Sequence, residues 1–167
     1  MIGLLLILAI CVWTGAYYSA RVRRRPREIN RFIRLFTAIQ SEIEFALRPT
    51  DALLNKLAAQ NEFSDFRFLQ TVNRLFQSGE SLQYAWEQAA EELQNSGALQ
   101  QEEITLIRSF CSAFGNTDRA GQRANCTYFI AQLETVEATA LSASRKKGGL
   151  YRTLGVLGGI FLVILFL

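Results

Sequence analysis

The chain is apolar at both ends and amphipathic in between. Met1 to Ala20 carries no charged side chain, and as a helix it extends about 30 Å, the thickness of a bilayer's hydrocarbon core. Leu154 to Leu167 is again uncharged; counted from Leu150, with Tyr151 and Arg152 reaching back to the interface, it covers roughly 27 Å. Between the two ends apolar residues recur three and four positions apart, the period of a helix with one buried face, and no run alternates long enough to make a strand. The pattern predicts an all-α protein, a helical bundle of about six helices between N- and C-terminal transmembrane helices. The predicted domains are an N-terminal transmembrane helix at 1–20, a cytoplasmic helical domain at 21–149 and a C-terminal transmembrane helix at 150–167.

Start and stop residues divide the middle. A first helix runs from about Pro26 to Leu47, with a seam of Ile29, Phe32, Phe36, Ile39, Ile43 and Ala46. A second covers Asp51 to Gln60. Ser64 suits the cap of a third, which carries Phe68, Leu69, Val72, Leu75 and Phe76 and ends near Gly79. Ser81 suits the cap of a fourth, with Leu82, Ala85, Trp86, Ala89 and Leu93 along one face and a break at Asn95-Ser96-Gly97. A fifth runs from Gln100 to Phe114 on Ile104, Ile107, Cys111 and Phe114. Gly115 suits a C-cap, and Thr117 or Asp118 the N-cap of a long sixth helix. Its seam is Cys126, Phe129, Leu133, Val136, Ala140 and Ala143, and only Gly148-Gly149 interrupts its path into the last apolar run. The first helix leaves one apolar run and the sixth returns to the other, so the two are expected to pair antiparallel as a stalk.

Charge fixes the expected orientation. Arg21, Arg23, Arg24 and Arg25 follow the first apolar run, and Lys146 and Lys147 precede the last. Basic residues beside a span stay cytoplasmic, so both termini are expected outside and the domain inside. Basic residues after rather than before the first run also argue for an uncleaved anchor instead of a signal peptide. Leu8-Ala9-Ile10-Cys11 is a poor lipoprotein box, because Ile10 is bulky and the basic n-region is missing. Gly15, with Cys11 and Ser19, and Gly155, with Gly159, offer small residues four apart for anchor packing, within one molecule or in a homo-oligomer. The lipid bilayer is thus the first expected partner; basic residues gathered at the apolar ends, in a chain of net charge +3, do not suit nucleic acid.

Chemistry adds little. The 167 residues contain no histidine and three scattered cysteines, which removes the commonest general base and metal ligand and any disulfide framework. No catalytic, cofactor or metal residues are expected, and the chain reads as non-enzymatic. A membrane enzyme working through Glu42 and Glu134 lacks a phosphate loop or metal spacing to support it. Asn125-Cys126-Thr127 matches a glycosylation acceptor but falls in a predicted cytoplasmic helix.

Separated pieces of the chain then carry a resemblance: Trp13-Thr14-Gly15, Arg25-Pro26 with Ile29, Ala85-Trp86, Phe114 to Asp118 with Gly121-Gln122, and Tyr151 to Gly155 with Gly158-Gly159. In order and spacing they resemble the stage III sporulation protein AB family of endospore-forming bacteria. Cys111 departs from that pattern, standing where a glycine is expected. The resemblance implies a component of the secretion-like channel machinery that joins mother cell and forespore across two membranes, placed in the mother-cell membrane facing the forespore. It also implies a cytoplasmic domain similar to the F domains of type II secretion platforms. The implied partners are a secretion-type ATPase, stage III sporulation protein AA, and other membrane proteins of that assembly. The alternative is a membrane-anchored signalling or scaffold protein unrelated to secretion.

Candidate partner-binding residues are Asp118, Arg119 and Gln122 at the start of the sixth helix, with Glu42 on the first. N-capping already gives a full explanation of Thr117 or Asp118 there. Glu91 with Glu92, and Glu102 with Glu103, are either acidic docking patches or solvated helix faces. Trp86 is either an interface anchor or core.

Overall fold

The computed structural model describes residues 24–45, 50–114 and 118–165, with side chains at all of these except 50, 51 and 146–165. The described residues form six helices and no strand: α1 (Arg24–Phe45), α2 (Thr50–Ala58), α3 (Arg67–Gln77), α4 (Leu82–Asn95), α5 (Gln101–Ala113) and α6 (Arg119–Leu165). The fold is the all-α bundle that the three-four period predicts. It divides into two compact units, one of residues 28–137 and the other of 1–27 with 138–167.

Unit 28–137 is held by an aromatic core. From α1 the predicted seam residues Ile29, Phe32, Phe36 and Ile39 are buried, and so are Ile33 and Leu35, because this helix is covered on more than one side. Phe36 lies face to face with Phe110 of α5 at 3.8 Å between ring centres, and both rings border Trp86 of α4. Phe68 of α3 meets Trp86 edge-on at 5.1 Å, and Phe129 of α6 meets Phe110 edge-on at 5.7 Å. The Trp86 indole N–H, buried with its ring, donates to the Ile107 carbonyl at 3.2 Å. A buried indole with its donor satisfied is core; the interface-anchor reading of Trp86 is set aside. Aromatic pairs add about 0.5–1.5 kcal/mol each beyond area burial. The half-exposed ion pairs Arg31–Asp65 and Arg34–Glu62 contribute about 0–1 kcal/mol each. The ring cluster therefore contributes more to the stability of this unit than these ion pairs do.

The termini of the middle helices follow local rules. α3 ends where Gly79 takes φ +94°, its N–H on the Phe76 carbonyl and that of Glu80 on Leu75, the two bonds of a Schellman stop. Ser81 caps α4, its hydroxyl accepting from the Tyr84 N–H at 3.1 Å, and Gly97 turns the chain at φ +61°. Ser64 does not cap α3. Its hydroxyl bonds back to the Asn61 carbonyl, and the helix starts three residues later, because residues 60–66 form turns that bury Phe63 and Phe66. The Gln70 amide locks these turns by donating to the carbonyls of Ala58 and Phe63. Gly115 and Thr117 lie outside the described residues.

In the second unit, Ala140 and Ser144 on α6 are buried while Arg24, Arg27 and Arg145 are exposed. The helical backbone of α6 runs through Gly148-Gly149 without the expected interruption. Each glycine costs about 1 kcal/mol there relative to alanine, a penalty that the 47-residue helix around it absorbs because propagation of a formed helix is favourable. The first apolar run, with Gly15, Arg21 and Arg23, lies outside the described residues. Gly155, Gly159, Lys146 and Lys147 are placed on α6 by its backbone only. Among the described residues no helix is long and apolar enough to cross a membrane.

Candidate functional site

The candidate site is built on the pairing of α1 with α6 inside unit 28–137. Among the described residues, three polar bonds join the helices in step: the Asn30 amide donates to Glu137 at 3.0 Å, the Gln40 amide to the Thr127 hydroxyl at 2.7 Å, and Arg123 pairs with Glu44 at 3.3 Å. The two residue numbers of every pair add up to 167. The helices are therefore antiparallel and keep one register from Asn30 to Glu44. The chain enters and leaves the unit side by side at Asn30 and Glu137, and at the other end of the pair α1 stops where α6 begins.

That far end carries the sequence-predicted residues Asp118, Arg119 and Gln122 at the start of α6, with Glu42 one turn before the end of α1. Asp118 is the N-cap of α6: its carboxylate accepts from the Gly121 N–H at 2.9 Å, while its own carbonyl takes the Gln122 N–H at 2.8 Å. A first-turn carboxylate also suits the positive end of the helix dipole. Arg119 is exposed beside it, and Gln122 is half-buried with a contact of its own. Glu42 faces another neighbour. It forms an ion pair with Lys56 of α2, most of its side chain being covered, so it ties α1 to α2.

Two residues at this end escaped the sequence reading. Arg123 sits one turn into α6 against Glu44. Phe45, the last residue of α1, is 82% exposed. Its signal was present, since position 45 falls outside the Ile29 to Ala46 seam, so an aromatic there has no core to enter. The acidic patches divide as well. Glu91 and Glu102 are exposed, and Glu92 accepts from the Thr71 hydroxyl at 3.0 Å. Glu103 is fully buried and accepts the Gln100 N–H at 2.6 Å, so it opens α5 from within and offers no surface charge.

The buried thiols are inert. Burial and, secondarily, the Glu87 carboxylate push Cys111 up to about 12; burial, partly offset by a backbone hydrogen bond, pushes Cys126 up to about 11. Reaction requires the thiolate, which these environments disfavour. Among the described residues no three histidine, cysteine or carboxylate side chains gather as a metal site.

A helical bundle whose described polar groups serve caps, register and surface defines a class of protein, a small all-α domain. More narrowly, the sequence model of stage III sporulation protein AB matches residues 1–167, and the chain belongs to that family of sporulation proteins. It is 25% identical over 175 aligned positions to stage III sporulation protein AB of Bacillus subtilis (strain 168), covering 100% of this chain and 98% of that one. A solved structure titled stage III sporulation protein AB has a similar fold, with a TM-score of 0.63 and 23% identity over 73% of this chain and 97% of the other.

Proposed function

We propose that this protein is a non-enzymatic membrane platform of the sporulation apparatus, anchored at both ends, whose helical unit docks the secretion-type ATPase stage III sporulation protein AA. The observation that carries this reading is the antiparallel register of α1 and α6. Both apolar ends of the chain continue from the same end of that pair, as two anchors entering one membrane from one side require. The opposite end, with Arg119, Arg123 and Phe45, is then the part of the pair farthest along the chain from either anchor and free to meet a cytoplasmic partner. An exposed phenylalanine, Phe45, and an exposed arginine, Arg119, suit a protein interface, where aromatic and arginine side chains are enriched.

The test is co-purification of the full chain, in a mild detergent, with purified stage III sporulation protein AA. The proposal expects a complex from the wild-type chain and at least a tenfold weaker one from R119E or F45S, both exposed substitutions that leave the core untouched. A wild-type chain that fails to retain the ATPase contradicts the docking role. Equal binding by both variants moves the docking surface away from this end.

A further inference from the structure

The two units divide the protein's carboxylates completely. All 15 carboxylates lie between Glu28 and Glu137, together with nine lysines and arginines, so that unit carries −6. The unit of residues 1–27 and 138–167 has no Asp or Glu and holds the other nine basic residues, a charge of +9. These are Arg21, Arg23, Arg24, Arg25 and Arg27 before the boundary, and Arg145, Lys146, Lys147 and Arg152 beyond it. Among those with described side chains, Arg24 and Arg27 stand exposed one turn apart on α1, and Arg145 is exposed on α6, next to the buried Ser144. Arg25, half-buried, engages a contact of its own.

We propose that this basic unit selects anionic phospholipid headgroups, gathering them around the chain through Arg24, Arg27 and Arg145. The proposal rests on the membrane reading above and adds a chemical preference to it. Setting an orientation needs basic charge beside a span but makes no distinction between lipids. A unit with nine cations, no carboxylate of its own and guanidinium groups held out to solvent does distinguish them. Arginine pairs with phosphate through a planar two-pronged donor that a zwitterionic surface, whose own ammonium groups compete, satisfies less well. Near an anionic surface each such charge changes the partition by about fivefold at low salt.

The test reconstitutes the full chain into vesicles of phosphatidylcholine with a minor fraction of phosphatidylglycerol, re-extracts it in mild detergent and quantifies the retained lipid. Phosphatidylglycerol is expected to be enriched several-fold over its share of the vesicle. Substitution R24Q/R27Q/R145Q leaves six basic residues to set orientation and is expected to lower the enrichment at least fivefold. Extraction in 1 M salt, where screening acts within about 3 Å, is expected to abolish it. A control, R67Q/R74Q, removes two exposed arginines of the other unit and is expected to leave the enrichment unchanged. Retained lipid that matches the bulk vesicle, or an equal fall in the control, overturns the proposal while leaving the anchors standing. A chain recovered free of vesicles overturns the membrane reading and this inference together.

Discussion

At the scale of single residues, burial decides what a side chain does, and the clearest cases are the two core thiols. Their raised titration has a consequence for stability. Well below pH 9.0, the ordinary thiol value, both are neutral in the folded and unfolded chain. As pH rises above that, the unfolded thiols ionise while Cys126 holds its proton to about 11 and Cys111 to about 12, so stability falls through this window. The full chain in mild detergent is expected to show a lower unfolding temperature at pH 10.5 than at pH 8. C111A/C126A is expected to lose less over the same interval, even if it starts lower because of the cavities left behind. An equal loss in both proteins contradicts the assignment. Residue roles were only partly legible in the sequence. Trp86 and the seam residues announced themselves by period, whereas Phe63 and Phe66 did not. They are buried from a turn rather than from a helix face, and a turn has no period to read.

At the scale of elements, most boundaries came from residues with a local mechanism. Ser81 and Gly79 act where their chemistry says. Ser64 has the right side chain in a place where the chain is committed to burying two rings, and the tertiary demand wins. Asp118 separates capping from charge in an experiment. D118A is expected to destabilise the full chain by about 1 kcal/mol, read as a lower denaturant midpoint at unchanged slope. D118N, whose amide oxygen still accepts the Gly121 N–H, is expected to stay within a few tenths of a kcal/mol of wild type. If D118N falls as far as D118A, the negative charge at the helix dipole and not the hydrogen bond holds the start of α6. The α1–α6 pairing was visible in the sequence as two similar seams pointing opposite ways. The polar bonds that fix its register were not, because Asn30, Gln40 and Glu137 look like any other exposed helical position until the partner helix is in place.

At the scale of the whole molecule, the chain joins an acidic helical unit to a basic one, and the bundle gives the sporulation family its fold without supplying a catalytic constellation among the described residues. The candidate site was legible only in part. The start of α6 stood out by its cap residues, but Phe45 and Arg123, which give that end its apolar and basic character, needed the antiparallel register to bring the end of α1 to the start of α6. In the proposed topology both ends of the chain enter one membrane from the side on which the helical unit lies. Cysteine accessibility in sealed membrane vesicles measures it most directly, using a full chain with Cys11, Cys111 and Cys126 replaced by alanine and one new cysteine at Ile2, Ser78 or Leu167. A membrane-impermeant maleimide added to sealed vesicles whose extracytoplasmic face is outward is expected to label I2C and L167C, and to label S78C only after the membrane is opened. Labelling of S78C from outside, or protection of either terminal cysteine together with S78C, contradicts it.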